Sequence, residues 1–140
     1  MSTISNYFNS QKFENENNDS LKKAQDFVYS YYKNMKSNPK KCLQNYLSTA
    51  RISWNGRGFT KKVFGTEVLE KLPKANVRIL SFDSHPFYVG SVLKGIIVVI
   101  SGNWSESHKD NQLFSQTLFL TKSTDRYSGY YIQDDCFRFV

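Results

Sequence analysis

Few residues in this chain have the types and spacing for acid–base chemistry. Asp83 and His85 stand two apart, and Asp134 and Asp135 follow closely on Tyr131. A carboxylate within reach of an imidazole or a phenol can relay a proton when one pocket holds both. Plainer roles exist for the same residues: Asp83 in Asp-Ser-His-Pro is a turn-capping type, and carboxylates along a strand commonly face water. Spacing places neither pair inside a pocket. No catalytic residue is assigned, and the chain is expected not to be an enzyme. Metal chemistry has less support still, because two His and two Cys at no ligand spacing do not make a zinc site. No cofactor is expected. Cys42 and Cys136 are expected to be reduced, buried thiols of an intracellular protein.

The stretch that must position anything else is the last one, Tyr130 to Val140. Aromatics alternate there with polar groups, as in a strand whose faces meet different surroundings. Tyr130, Ile132, Asp134, Cys136 and Arg138 share one face; Tyr131, Gln133, Asp135, Phe137 and Phe139 share the other. The Phe face suits a core. The Cys136 and Arg138 face suits a second surface, where a covered guanidinium would need its charge answered. An ordinary strand with Arg138 reaching into water is the alternative.

At 140 residues the chain makes one domain with a single core, and with 11 Phe and 9 Tyr that core is rich in rings. No apolar run approaches the ~20 residues of a membrane helix, and secretion is not expected, since the first residues lack a basic stretch followed by an apolar one. The net charge of +7 raises the possibility of an acidic partner, but the lysine pairs at 22–23, 40–41 and 61–62 are scattered. A solvated basic surface is expected, without sequence-specific reading of nucleic acid.

Met1 to Asp19 is rich in Asn, Ser and charge, and is expected to be a flexible arm preceding a domain over 20–140. Asp19 or Ser20 can cap a helix from near Leu21, with Leu21, Ala24, Phe27 or Val28, Tyr31 and Met35 as its apolar stripe. Pro39 opens a second, short helix to about Tyr46. Arg51 to Trp54 reads as a strand entering an Asn55-Gly56 turn, with a return strand over 59–64. A third helix is expected over 68–72, ended by Pro73. Strands follow over 77–82, 93–104, 113–121 and 130–140. Asp83 to Pro86 is expected to be a corner, since proline cannot donate within a central ladder. Polar loops are expected over 105–111 and 122–129. The outcome is an α+β fold in which a curved, mostly antiparallel sheet wraps three N-terminal helices as a cone. Apolar residues on both faces of the longest strand call for a covering surface from another chain.

Five short patterns, in order from about residue 20 to the end, resemble the nuclear transport factor 2-like family. They are Phe27-Val28 with Tyr31-Tyr32, Trp54-Asn55-Gly56, Asp83 with Pro86, Phe114 with Gln116 and Phe119-Leu120, and Asp135-Cys136-Phe137-Arg138-Phe139. The turn and the ending are similar to the branch of small subunits of the mRNA-export receptor. That resemblance implies a heterodimer with the matching domain of a large mRNA-export receptor, supporting its binding of Phe-Gly nucleoporins. It implies residence in the nucleus and at the nuclear pore, with shuttling to the cytoplasm. Cys136 and Arg138 would face the partner, Arg138 pairing with a carboxylate of the other chain. Trp54, with Phe137 beside it, would form a pocket for a Phe side chain at the cone mouth, or else serve as a plain core residue. The Ran-binding branch carries an acidic residue after the tryptophan where this chain has Asn55, so Ran binding is expected to be weak or absent. A homodimeric Ran-GDP import factor, a scaffold binding Phe-Gly motifs and an isomerase- or dehydratase-like enzyme are the alternatives within the fold.

Overall fold

The computed structural model describes residues 3–123 and 129–140, with side chains from residue 10 onward. Its first element is one long helix, α1 (Thr3–Ser37), which presents Ala24, Val28, Tyr31 and Met35 to the core, all essentially inaccessible to water. Their spacing keeps them on one face through three turns. The helix was expected to begin near Leu21, after a flexible arm. It instead runs unbroken from Thr3, and Asp19 and Ser20 lie within it, Ser20 buried against the sheet side. The physical reason is that extending a helix already held by packing adds one hydrogen bond per residue ordered, without a second nucleation. Lys12–Glu16 and Asp19–Lys23 ion pairs at i,i+4, 3.9 Å and 2.9 Å long, follow the same path. Farther contacts tie this part to the sheet edge: the Tyr88 hydroxyl donates to Glu16, and the Phe13 ring lies 6.1 Å from His85.

Asn38 ends the helix, and its side chain accepts from the Lys40 amide at 3.3 Å. The second helix proves to be a 3-10 segment, Pro39–Asn45. Strands β1 (Tyr46–Trp54) and β2 (Arg57–Thr60) form a hairpin about Asn55 and Gly56, at φ 49° and 86°, as the Asn-Gly pair predicts. The third helical element starts at Lys61 rather than Val68: α2 (Lys61–Phe64) widens into a π turn over Gly65–Leu69. It buries Phe64 and Leu69, so the return strand expected over 59–64 is cut short.

The remaining strands are β3 (Ala75–Val89), β4 (Val92–Glu106), β5 (Gln112–Lys122) and β6 (Tyr130–Phe139). Together they make one open sheet in the order β2-β1-β6-β5-β4-β3, with β1 and β6 parallel and every other pair antiparallel. The helices cover its concave face. This is the expected α+β cone. The corner expected at Asp83–Pro86 is absent: β3 continues through it, with Pro86 opposite Ile96. Since β3 is the sheet's outermost strand, Pro86 costs no ladder bond on its free side. Of the loop expected over 122–129, residues 124–128 lie outside the described residues.

Candidate partner interface

Strand β6 is central in the sheet, between β1 and β5, so both of its hydrogen-bonding edges are taken by the neighbours. A register shift separates the pairs Leu120–Ile132 and Phe119–Asp134, which leaves Gln133 as an extra residue. The bulge moves the alternation by one. Ile132 therefore points into the core, fully buried, and not to the face of Cys136 where simple alternation puts it. From Asp134 onward the alternation holds: Asp135, Phe137 and Phe139 turn inward, while Asp134, Cys136 and Arg138 turn outward.

The inner face is filled. Trp54 of β1 stacks on Phe137 with centroids 4.0 Å apart and planes 9° apart, and Phe114 and Trp104 close on Phe137 at 5.4 Å each. Trp54 and Phe137 are thus brought together, but each occupies the space beside the other, and neither lines the groove described below. Asp135, only 3% exposed, is the one buried carboxylate among the described residues. Its Oδ2 accepts from the Tyr46 hydroxyl at 2.6 Å and its Oδ1 from Gln116 Nε2 at 3.0 Å. Tyr46 has a single proton, which goes to Asp135, so Tyr31 is the donor in the 2.7 Å contact between the two phenols. Tyr32 closes the other branch by donating to Gln116 Oε1 at 2.6 Å. Every proton in this chain of five side chains points toward the carboxyl group.

Burial pushes the Asp135 carboxyl up to about 6, against the lowering effect of the hydrogen bonds from Tyr46 and Gln116. Burial, and then the charge of Asp135, hold the phenols of Tyr31, Tyr32 and Tyr46 well above their ordinary value. The same two causes push the Cys42 thiol to about 12, so it is inert at neutral pH. The groove beside the end of α1 reaches Tyr32 but not Asp135, and no described hollow is lined by both Asp135 and Tyr131. Asp135 is therefore not the exposed strand carboxylate of the plain expectation, nor does a pocket join it to Tyr131. Asp83 and His85 are both exposed on β3, and no hydrogen bond joins them. Asp134 is taken by Arg51, which donates from Nε at 2.9 Å and from Nη2 at 3.1 Å.

The outer face is open. Registers place Ser53, Cys136, Thr117, Val99 and Asp83 in one row across five strands, and Arg51, Asp134, Phe119, Ile97 and His85 in the next. Val99 is 46% exposed in the middle of the sheet. Phe119 rests on Gly95, where a Cβ would stand 3.0 Å from its ring, and meets Phe87 edge-on at 5.3 Å. These rows border a groove of about 530 Å³ lined by Phe59, Phe87, Ile97, Phe119 and Cys136, with Arg51 and Asp134 at its side. Cys136 is exposed here, unlike Cys42; the expectation of two buried thiols fails for it because the sheet's outer face has no second layer. Arg138 is also exposed, and forms no ion pair among the described residues. Its guanidinium lies over the hairpin turn, where a Cβ on Gly56 would come within 3.2 Å of Nη2. Asn55 locks that turn to β6: its amide donates to Phe137 O, and its Oδ1 accepts from the Phe139 amide, both at 2.8 Å.

Sequence reasoning missed the partners of Asp135, although it placed that carboxylate on the Phe face of β6, where a buried acid needs donors. Tyr46 and Gln116 come from other strands, and nothing local announces the meeting.

This arrangement has relatives. Residues 23–139 match the model of the nuclear transport factor 2 (NTF2) domain. The chain is 29% identical over 119 residues to NTF2-related export protein 2 of Mus musculus, covering 83% of this chain and 84% of that one. It is 30% identical over 100 residues to NTF2-related export protein 1 of Schizosaccharomyces pombe, covering 71% and 84%. Among solved structures, nuclear transport factor 2 of Cryptosporidium parvum superposes with a TM-score of 0.74 at 21% identity, covering 85% of this chain and 93% of that one. The yeast UBP3-associated protein BRE5 follows the same fold, with a TM-score of 0.70 at 23% identity, covering 84% and 94%. The likeness to export proteins supports a transport-cofactor role. With the cone, the stacked Trp54 and Phe137 and the bare outer sheet all accounted for, the chain belongs to the nuclear transport factor 2 domain family.

Proposed function

We propose that this protein is a non-enzymatic nucleocytoplasmic transport cofactor that pairs, sheet on sheet, with the matching domain of a large mRNA-export receptor. The observation that carries this is the outer sheet face: an apolar patch of Val99, Ile97 and Phe119 over two neighbouring rows lies near Arg138, a guanidinium with no ion pair among the described residues. Covering that face by a partner would bury the patch, worth roughly 25 cal/mol per Å² of apolar area. It would also demand an acid opposite Arg138, because a buried charge left unpaired is costly. The demand discriminates: a second copy brings another Arg138, whereas the right partner brings a carboxylate. Cys136, small and exposed beside it, lets the two sheets approach. The names of the relatives, NTF2-related export proteins, support the same reading.

The pair would sit in the nucleus and at the nuclear pore, shuttle to the cytoplasm, and support the receptor's hold on Phe-Gly nucleoporins. Ran-GDP would be bound weakly or not at all, since Asn55 has no charge and spends its Oδ1 on the Phe139 amide. Light scattering after gel filtration tests the proposal, with the chain alone and mixed with a receptor's NTF2-like domain. A stable 1:1 complex is the expected result; a chain that stays homodimeric in the presence of that domain overturns it.

A further inference from the structure

The excess positive charge of this protein is concentrated. Between Lys33 and Lys74 lie ten of the 19 Lys and Arg residues but only two of the 12 acids, Glu67 and Glu70. Arg57 takes Glu67 at 2.8 Å, and Lys40 takes Glu70 at 3.7 Å. The fold gathers six of these ten charges, all lysines, at one end of the helical layer, while Arg51 stays with Asp134 on the outer sheet face. Lys33 and Lys36 lie on the last turns of α1; the 3-10 segment carrying Lys40 and Lys41 follows directly, held by the Asn38 amide on Asn34 O at 2.7 Å. The Lys40–Glu70 pair brings in the stretch that ends at Lys71 and Lys74. All six of these lysines are exposed. A groove of about 610 Å³ runs between this end of α1 and the start of β3, lined by Tyr29, Lys33, Lys36, Val77 and Ile79. Tyr29 is 71% exposed there, one turn before Lys33, although it belongs to neither the core nor the outer sheet face.

We infer that this basic end, with Tyr29 as a stacking platform, binds single-stranded RNA without sequence preference. Phosphates would be held by lysines, which act as point charges and specify nothing. A base would lie on the Tyr29 ring, flanked by the apolar Val77 and Ile79 side chains and the lysine stems; aromatic faces set in a basic groove are how single strands are held. Lysines spread over three segments suit an extended chain of phosphates better than one compact acid. The surface lies on the helical side of the sheet, away from Cys136 and Arg138, so a partner on the outer face leaves it open. The inference therefore stands or falls separately from the heterodimer.

The test is fluorescence anisotropy with a labelled 15-nucleotide oligo-uridine, on the full chain and on its complex with a receptor domain. Binding should weaken with salt at a slope of about −3 in log K against log salt, as for some four phosphates at ~0.7 each. Tyr29→Ala should weaken binding by about tenfold, within the usual range for one stacked base. Lys33→Glu with Lys36→Glu should weaken it further and flatten the slope, while Lys94→Glu, at the far end of β4, should leave it unchanged. Thermal melts of each variant verify the fold. Absence of binding in ~50 mM salt overturns the inference. So does equal damage from Lys94→Glu, or full competition by poly-glutamate with Tyr29→Ala unaffected, which would mark a site for acidic protein segments.

Discussion

Strand β6 shows two solutions to one problem, separated only by the direction in which alternate side chains point. Inward, Phe137 is enclosed by rings and Asp135 receives both of its hydrogen bonds from within the chain. Outward, Cys136 and Arg138 are exposed, and the guanidinium has no acid among the described residues. Nothing on the inner face is left for a partner to supply. On the outer face, an apolar patch and a guanidinium unpaired among the described residues remain, which the proposed function leaves for another molecule to complete. Stability therefore resides on the inner face and, on the proposed function, recognition on the outer one, so substitutions at adjacent residues should have unlike consequences.

The largest effect on folding should come from Phe137→Ala. Removing a buried ring typically costs about 3–5 kcal/mol, read as a shift of the denaturant midpoint. If the loss stays below ~1 kcal/mol, the aromatic stack is not the centre of the core. Asp135→Asn comes next, and pH exposes it. The folded carboxyl keeps its proton up to about 6, whereas the unfolded one releases it near ~3.9. Asp135 therefore contributes stability that is fully present below the unfolded value and is lost as pH rises through the folded one. The stability difference between wild type and Asp135→Asn should fall by about 1.4 kcal/mol per pH unit across that window, then level off. A difference that grows with pH would mean that the hydrogen bonds of Tyr46 and Gln116 outweigh burial. Val99→Asp, on the outer face, should change folding by no more than ~0.5 kcal/mol, yet prevent pairing with a receptor domain. Tyr88→Phe removes one part-buried hydrogen bond to Glu16 and should cost ~1 kcal/mol or less. A larger loss would show that the first turns of α1 brace the edge strand.

The fold and the outward face of Cys136 and Arg138 were legible because they rest on local periodicity. Alternation along β6, the stripe on α1 and the Asn55-Gly56 turn each appear within a few residues. What escaped was decided at a distance. The bulge at Gln133 changes the register by one and carries no residue signature, so Ile132 was placed on the wrong face. Pro86 reads as a breaker unless β3 is known to be an edge, which depends on strand order. The polar run before Leu21 lacks the hydrophobicity of a helix, but Phe13 and Glu16 find His85 and Tyr88, some 72 residues on in each case. The network around Asp135 joins residues 89 and 19 apart in sequence. A buried acid could be anticipated from the Phe face; its donors could not.

The central claim is that β6 folds with one face and recruits with the other, and Arg138→Glu tests it most directly when two quantities are measured on the same sample. One is the melting temperature of the isolated chain; the other is its affinity for a receptor's NTF2-like domain by calorimetry. The account predicts a melting temperature within a few degrees of wild type and loss of the 1:1 complex, since breaking a buried ion pair alone costs about 3–5 kcal/mol and reversal adds repulsion. Partial rescue should follow a compensating Asp or Glu to Arg change in the partner. Undiminished binding of the unaltered domain by the Arg138→Glu chain at moderate salt would contradict it.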